Sequence, residues 1–283
     1  MEVAPTISVK EVMAGQLSSW AVGALLEEVR LTPKPGLVDR ENNGSHHDLT
    51  LQLMERSARS LEETFFEMAM VSFAMEPSRY LRERLAAIGR HGEELMLRTT
   101  GGINTHKGAI WVLGLLTGSA AALLSGEKHS ILKAAGRIAG FEDRYAPMTN
   151  TNGDGIRRQY TLRTAREEAI AGFPSLQQTA LPVWDRFRTE PEPVRKLNVL
   201  LALISVVDDT CILHRSNMDV LKKVRQMAGD IIRKGGMGRT DNAEAYLSLD
   251  RFITHHHVSP GGSADLLAAT IFLQKIANHY KIN

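Results

Sequence analysis

The sequence predicts an all-α protein. Three observations carry that prediction. Apolar residues recur at three-and-four spacing in nearly every segment. Period-two alternation is scarce. No Asn-Gly step sits between two β-rich runs, because Asn43-Gly44 and Asn152-Gly153 join loops or helical segments.

The elements follow in order. Leu17, Trp20, Ala21, Ala24, Leu25 and Val29 share one helical face and predict a first helix ending near Leu31. Thr32-Pro33 supports that stop, since a residue before proline is pushed out of the helical region. Residues 50–75 read as a second helix, closed by Glu76-Pro77. Residues 78–98 read as a third, with Leu81, Leu85, Ile88, Leu95 and Met96 apolar. The run GAIWVLGLLTGSAAALLSG, residues 108–126, carries no charge. A membrane span needs about 20 mostly apolar residues. This run is diluted by Gly114, Thr117, Gly118 and Ser119 and closed by Lys107 and Glu127, so it reads as a core helix over 106–125. Further helices are predicted over 129–140, 157–171, 192–207, 217–234, 241–257 and 263–280. No Ser/Gly/Pro-rich linker and no fixed-period repeat divides the chain, so residues 1–283 read as one domain.

Composition narrows the functional classes. Of the 283 residues, 43% are hydrophobic, enough for a core without disulfides or a structural metal. A net charge of +2 without a dense Lys/Arg stripe gives no argument for nucleic acid. Cys211 is the sole cysteine, which excludes an intrachain disulfide and suits a reducing cytoplasm. The start MEVAPTISVKEVMAG lacks a basic end followed by an apolar run, so no signal peptide is expected. The expected location is cytoplasmic, with no membrane partner.

The chemistry-bearing residues concentrate in four loops. In TPKPGLVDRENNGSHHDL, residues 32–49, Pro33 and Pro35 stiffen the backbone around Lys34. Asp39 and Asp48 offer oxygen to a hard cation, and Lys34 and Arg40 suit phosphate. A solvated, proline-capped turn is the plain alternative. In TTGGINTHKGA, residues 99–109, Asn104 or Thr105 can cap the core helix. Lys107 then falls in the first turn, where the helix dipole disfavours a cation unless an anion is bound. His106 can donate to phosphate or act as acid or base. An ordinary Gly-Asn cap would look the same. In VVDDTCILHRSN, residues 206–217, Asp208 and Asp209 close an apolar run, which calls for a metal ion or an arginine such as Arg215. In SPGGSADLLAAT, residues 259–270, Gly261 and Gly262 precede Ser263 as N-cap and Asp265 in the first turn. That arrangement resembles a phosphate cradle but lacks Walker spacing, and a plain helix start is similar. His255-His256-His257 point in different directions on a helix and are set aside as a metal site. GGMGRTD, residues 235–241, reads as a helix–helix turn. Together the four loops suggest a polyphosphate and divalent-cation site, and none of them names a reaction.

The ordered set TPKPGLVDR, HHDL, GGINTHKGAIWVLGLL, EEAIAGFP, DTCILHR and SPGGSADLL resembles the triphosphoribosyl-dephospho-CoA synthase family over about residues 20–275. The resemblance implies an all-α enzyme that takes ATP and 3′-dephospho-CoA, releases adenine, and joins the triphosphoribosyl group to the 2′-hydroxyl of the dephospho-CoA ribose. It implies that the product is the prosthetic-group precursor for the acyl carrier protein of citrate lyase or malonate decarboxylase. Carried over by position, Asp39, Asp48 and Asp209 are expected to hold Mg²⁺ or act as general base, with His106 beside them as acid or base. Lys34, Arg40, Asn104, Lys107, Arg215, Gly262, Ser263 and Asp265 are expected to bind substrate and phosphate. The chain departs from many relatives at Thr164–Ala169, where they read Gly-x-Arg-Gly-Glu-Ala. It departs again at Asp209-Thr210-Cys211 and at Arg215-Ser216-Asn217, where they read Asp-Thr-Asn and Arg-Gly-Gly. The same loops would serve an Mg-dependent nucleotide hydrolase, with water replacing the ribose hydroxyl, or a non-catalytic nucleotide-binding paralogue.

Overall fold

The computed structural model describes residues 8–124, 126–147 and 162–281. Its described elements are all helical. Helix α1 (Val9–Arg30) starts on a reciprocal capping box between Ser8 and Glu11 and stops where Leu31 turns extended. The stretch predicted as one helix over 50–75 is two, α2 (Leu51–Ser60) and α3 (Glu62–Ser72). The break is local. Ser60 Oγ donates to the Ser57 carbonyl, and the Leu61 amide tightens back to Ala58 instead of continuing the ladder.

Helix α4 (Arg79–Thr100) is capped by Ser78 and ends on Gly101 in the left-handed conformation. Helix α5 (Lys107–Leu123) is the predicted core helix, and α6 (Lys128–Gly140) follows. Of the helix predicted over 157–171, residues 157–161 lie outside the described residues, and the rest yields only α7 (Ala165–Ile170). A π-helical turn at Leu176–Ala180 runs into α8 (Leu181–Arg186), then α9 (Glu192–Val206) and α10 (Thr210–Arg215). Helices α11 (Met218–Arg233), α12 (Ala243–His255) and α13 (Gly261–His279) complete the described chain. The predicted 235–241 turn is present, with Gly235 and Gly236 at positive φ.

Helix α5 packs against α1, α3, α4, α6 and α13, and α9 packs against α11 and α13. Ile110, Leu113 and Leu116 are buried. The glycines that dilute this apolar run are where neighbours come close. A Cβ on Gly118 would meet Ser72 Oγ at 2.9 Å, and one on Gly114 would meet Met68 Sδ at 2.7 Å. Among the described residues, no single helix is long and apolar enough to cross a membrane. The packing leaves the C-terminal end of α1 and the N-terminal ends of α5, α10 and α13 around one cleft.

Candidate active site

The cleft has a volume of about 240 Å³ and takes residues from all four loops: Lys34 and His46, Asn104 and His106, Thr210 and Arg215, Gly261 and Asp265. A smaller cavity of about 70 Å³ shares Gly108, Thr210 and Asp265 with it and reaches Asp208 and Asp209.

Most of the charged residues expected to hold ligand are engaged by the protein. Asp39 is buried, and both its oxygens accept backbone amides: Oδ2 from Lys34 (2.9 Å), Oδ1 from Glu41 (2.7 Å) and Asn42 (3.0 Å). It shapes the loop. Gly44 and Gly36 close the same loop at positive φ, with the Ser45 amide on the Gly36 carbonyl at 3.1 Å. A Cβ on Gly44 would strike that carbonyl at 2.5 Å. Lys34, expected as a phosphate cation, is turned inward. Its Nζ donates to Glu28 Oε1 (2.6 Å) and to the Glu28 carbonyl (2.8 Å), and its side chain is 1% exposed. Arg40 is exposed and lies outside the cleft lining. Asp48 is exposed, with one oxygen 3.9 Å from His46 Nδ1.

Asp209 is buried as the N-cap of α10. Its Oδ1 accepts the Cys211 amide (3.0 Å) and its Oδ2 accepts Ser263 N (2.9 Å) and Ser263 Oγ (3.1 Å). It ties α10 to the start of α13. Burial raises its pKa, and the donors around it pull the other way. Asp208 takes the arginine that the sequence called for, but the arginine is Arg225 (2.6 Å), not Arg215. Among the described residues, no three His, Cys, Asp or Glu side chains are grouped to hold a metal ion. Asp39, Asp48 and Asp209 are thus not assembled as one ligand set.

Two helix starts also differ from expectation. Helix α13 begins at Gly261, so Ser263 lies inside the first turn with its hydroxyl on Asp209, and Asp265 lies beyond that turn. The N-cap of α5 is His106, with no side-chain cap, while Asn104 Oδ1 accepts the Lys107 amide at 3.2 Å. Lys107 is the first helical residue as expected, and its Nζ pairs with Glu93 at 3.0 Å. Arg215 reaches His46, whose Nδ1 accepts Nη2 at 3.3 Å. Burial and then Arg215 hold the His46 pKa down at about 4, so the ring is a neutral acceptor.

What remains free in the cleft is a short set. His106 is 3% exposed, with Nδ1 3.0 Å from Ser57 Oγ. Burial, and next the Lys34 charge, lower its pKa to about 4, so the imidazole is neutral. Its Nε2 is buried without a partner among the described residues, and so is Ser259 Oγ in the same lining. Buried polar atoms are nearly always bonded, so two orphans in one cleft wall point to a missing ligand. Asp265 has no hydrogen bond or ion pair among the described residues. Its carboxyl is pressed against α5, where a Cβ on Gly108 would lie 2.0 Å from Oδ2. Enclosure and then the neighbouring charges of Glu28 and Asp209 push its pKa well above the ordinary carboxyl range. A group of this kind, lining a cleft, is suited to proton transfer.

The sequence marks Asp265 as a ligand contact and assigns no role to Glu28, His46 or Ser259. Glu28 left a signal, because Leu17, Ala21, Ala24 and Glu28 form one helical stripe whose other members are apolar. A carboxylate on that stripe has to meet a buried partner.

A family model described as ATP:dephospho-CoA triphosphoribosyl transferase matches residues 14–283. The 2-(5''-triphosphoribosyl)-3'-dephosphocoenzyme-A synthase of Klebsiella pneumoniae is 44% identical over 92% of this chain and 94% of its own length. Proteins named as probable synthases of the same compound are 42% identical in Pseudomonas fluorescens Pf-5 (96% and 94% covered) and 40% identical in Pseudomonas putida (96% and 98% covered). No solved structure matches.

Proposed function

The chain belongs to the ATP:dephospho-CoA triphosphoribosyl transferase family, and we propose that it moves the triphosphoribosyl group of ATP onto the 2′-hydroxyl of 3′-dephospho-CoA and releases adenine. The observation that carries this reading is the carboxyl of Asp265 in the wall of the cleft, which has no hydrogen bond or ion pair among the described residues and whose enclosure favours its protonated form. The C1′–N9 bond of ATP breaks with its electron pair leaving on adenine, through an oxocarbenium-like state related to that of glycoside hydrolysis. Asp265 gives its proton to the departing base. The 2′-oxygen bonds to C1′ and releases a proton that restores the acid through solvent. The Asp265 carboxylate formed on proton loss, with Glu28 nearby, places negative charge where the ribose becomes positive. Neutral His106 offers Nε2 to a ribose hydroxyl. Mg²⁺ enters as part of the substrate, on the phosphates of ATP. The product serves as prosthetic-group precursor for an acyl carrier protein, of citrate lyase or of malonate decarboxylase.

The test is product analysis. ATP with 3′-dephospho-CoA and Mg²⁺ is expected to yield free adenine and the joined nucleotide in equal amounts, and chelation is expected to stop both. Adenine released equally well without dephospho-CoA would make the protein a nucleotide hydrolase. ATP bound tightly with no adenine formed would make it a binding protein. Full activity in excess chelator would remove the Mg²⁺ role.

Gly108 gives a local check on Asp265. Gly108→Ala puts a methyl where the carboxyl now lies, so the carboxyl must move. Turnover is expected to fall by about a hundredfold, the scale of a 1 Å misplacement. The melting temperature should stay near wild type, because alanine favours the helix. Unchanged turnover would disconnect the position of that carboxyl from the chemistry.

A further inference from the structure

A third cavity, about 550 Å³ and larger than the cleft, adjoins it and shares Lys107 with it. Among the described residues, five cations line it, Arg82, Arg90, Lys107, Arg144 and Arg166, against the acids Glu93, Glu142 and Asp143. Three of the five are matched. Arg90 pairs with Asp143 (2.6 Å), Lys107 with Glu93 (3.0 Å), and Arg144 forks onto Glu83 (2.7 and 3.0 Å). Arg82 and Arg166 have no side-chain hydrogen bond or ion pair among the described residues. Arg82 is half-buried, its Nε is buried without a partner among the described residues, and its guanidinium stands 4.9 Å over the Trp111 ring. Burial, with Arg166 and Arg90 close by, disfavours its charge although Asp143 offsets part of that. A cation held in that setting, with its fork open to a cavity, is one that an anion would satisfy.

The size of the transfer cleft points the same way. At about 240 Å³ it falls below the range of about 300–1,000 Å³ that houses one small-molecule ligand. The reaction brings together two nucleotides, and each carries a phosphoanhydride chain on O5′ of its ribose, several bonds away from the reacting atom.

We infer that the Arg82–Arg166 cavity is an anion subsite that takes the phosphoanhydride chain of a nucleotide substrate, with Lys107 on the path from it to the transfer cleft. The two guanidiniums supply paired N–H donors to phosphate oxygens, and the Trp111 ring holds Arg82 in place beneath them. Naming a nucleotide rests on the reaction proposed above. The anion chemistry does not.

Binding without turnover tests the subsite. Inorganic tripolyphosphate, ATP alone and dephospho-CoA alone are titrated into wild type, Arg82→Gln and Arg166→Gln, followed by calorimetry and by tryptophan fluorescence. Tripolyphosphate and at least one nucleotide are expected to bind about tenfold to a hundredfold more weakly to each variant, the scale of one lost charge-assisted hydrogen bond. A loss confined to ATP assigns the triphosphate, and a loss confined to dephospho-CoA assigns its pyrophosphate. Either supports the inference. Unchanged affinity for all three ligands in both variants overturns it. Arg166 is exposed, so its substitution keeps the test valid even where Arg82→Gln fails to fold. Wild type that binds tripolyphosphate through these arginines but forms no joined product would sink the proposed reaction and leave the subsite standing.

Discussion

Asp265→Asn is expected to lower turnover by about a hundredfold to ten-thousandfold, the range for a positioned proton-transfer group, while the free protein becomes more stable. The two effects share one cause. In the wild type, enclosure and the charges of Glu28 and Asp209 raise the Asp265 pKa well above its unfolded value of 3.8. A raised folded pKa contributes stability that is fully present below the unfolded value and is lost as pH rises through the folded one. At neutral pH the site therefore weakens the fold, and an uncharged amide of the same shape relieves it. The expected signature is a higher melting temperature for Asp265→Asn near neutrality that converges on wild type in acid. His46 and His106 add the opposite slope. Their pKa values of about 4 lie below the ordinary imidazole value of 6.5, so stability falls as pH drops between those two values in both proteins. Urea unfolding across pH, compared between wild type and variant, isolates the carboxyl. Turnover within about threefold of wild type would exclude the acid role. Loss of both activity and stability would make Asp265 a structural group.

Asp209 makes the useful contrast, because it too is a cleft-side acid with a raised pKa, and it is buried. Its carboxylate accepts from Ser263 and Cys211, so removing it leaves buried donors unsatisfied and frees the joint between α10 and α13. The sequence offers no means of ranking the two aspartates. Both stand in short polar motifs at helix starts, and what separates them is whether other groups have already claimed the oxygens. The same limit hides the roles of Asp39 and Lys34. Their loop was legible as built to hold something, from Pro33, Pro35, Gly36 and Gly44. That Asp39 holds the loop itself depends on amides within three residues of it folding back, which no residue pattern states. The helical framework was legible because a buried stripe repeats every three or four positions over many turns. The short helix Thr210–Arg215 and the π turn at Leu176–Ala180 give too few turns for that signal, and Pro182 reads as a stop although it falls at the start of α8, where a missing N–H is tolerated. The convergence of four distant loops on one cleft was anticipated from their shared composition. The arginine-lined cavity was not, because Arg82, Arg90 and Arg144 are spread over α4 and the loop after α6 with ordinary surface spacing.

Lys34→Met is expected to destabilise the fold by about 3–5 kcal/mol, the scale for breaking a buried ion pair by removing one partner. Glu28 would stay buried with no cation, beside Asp265, and a carbonyl acceptor at the end of α1 would lose its donor. If Lys34 were instead a phosphate cation, the variant would fold normally and lose only affinity for ATP, so a melting curve and an ATP titration on the same protein separate the two. A second variant removes ambiguity about the cause. Glu28→Gln with Lys34→Met deletes both charges at once, and it should recover much of the lost stability because no lone charge is left inside. The double variant then reports on function as well. After enclosure, the Glu28 charge does most to raise the Asp265 pKa, so neutralising it lets that carboxyl ionise at lower pH. The alkaline limb of turnover, where a required acid loses its proton, is expected to move to lower pH while the fold stays intact. A double variant as unstable as Lys34→Met would show that packing of the lysine stem, not its charge, holds this corner of α1. A refolded double variant whose alkaline limb matches wild type would break the electrostatic link from Glu28 to Asp265, and with it the account of how the cleft keeps its proton.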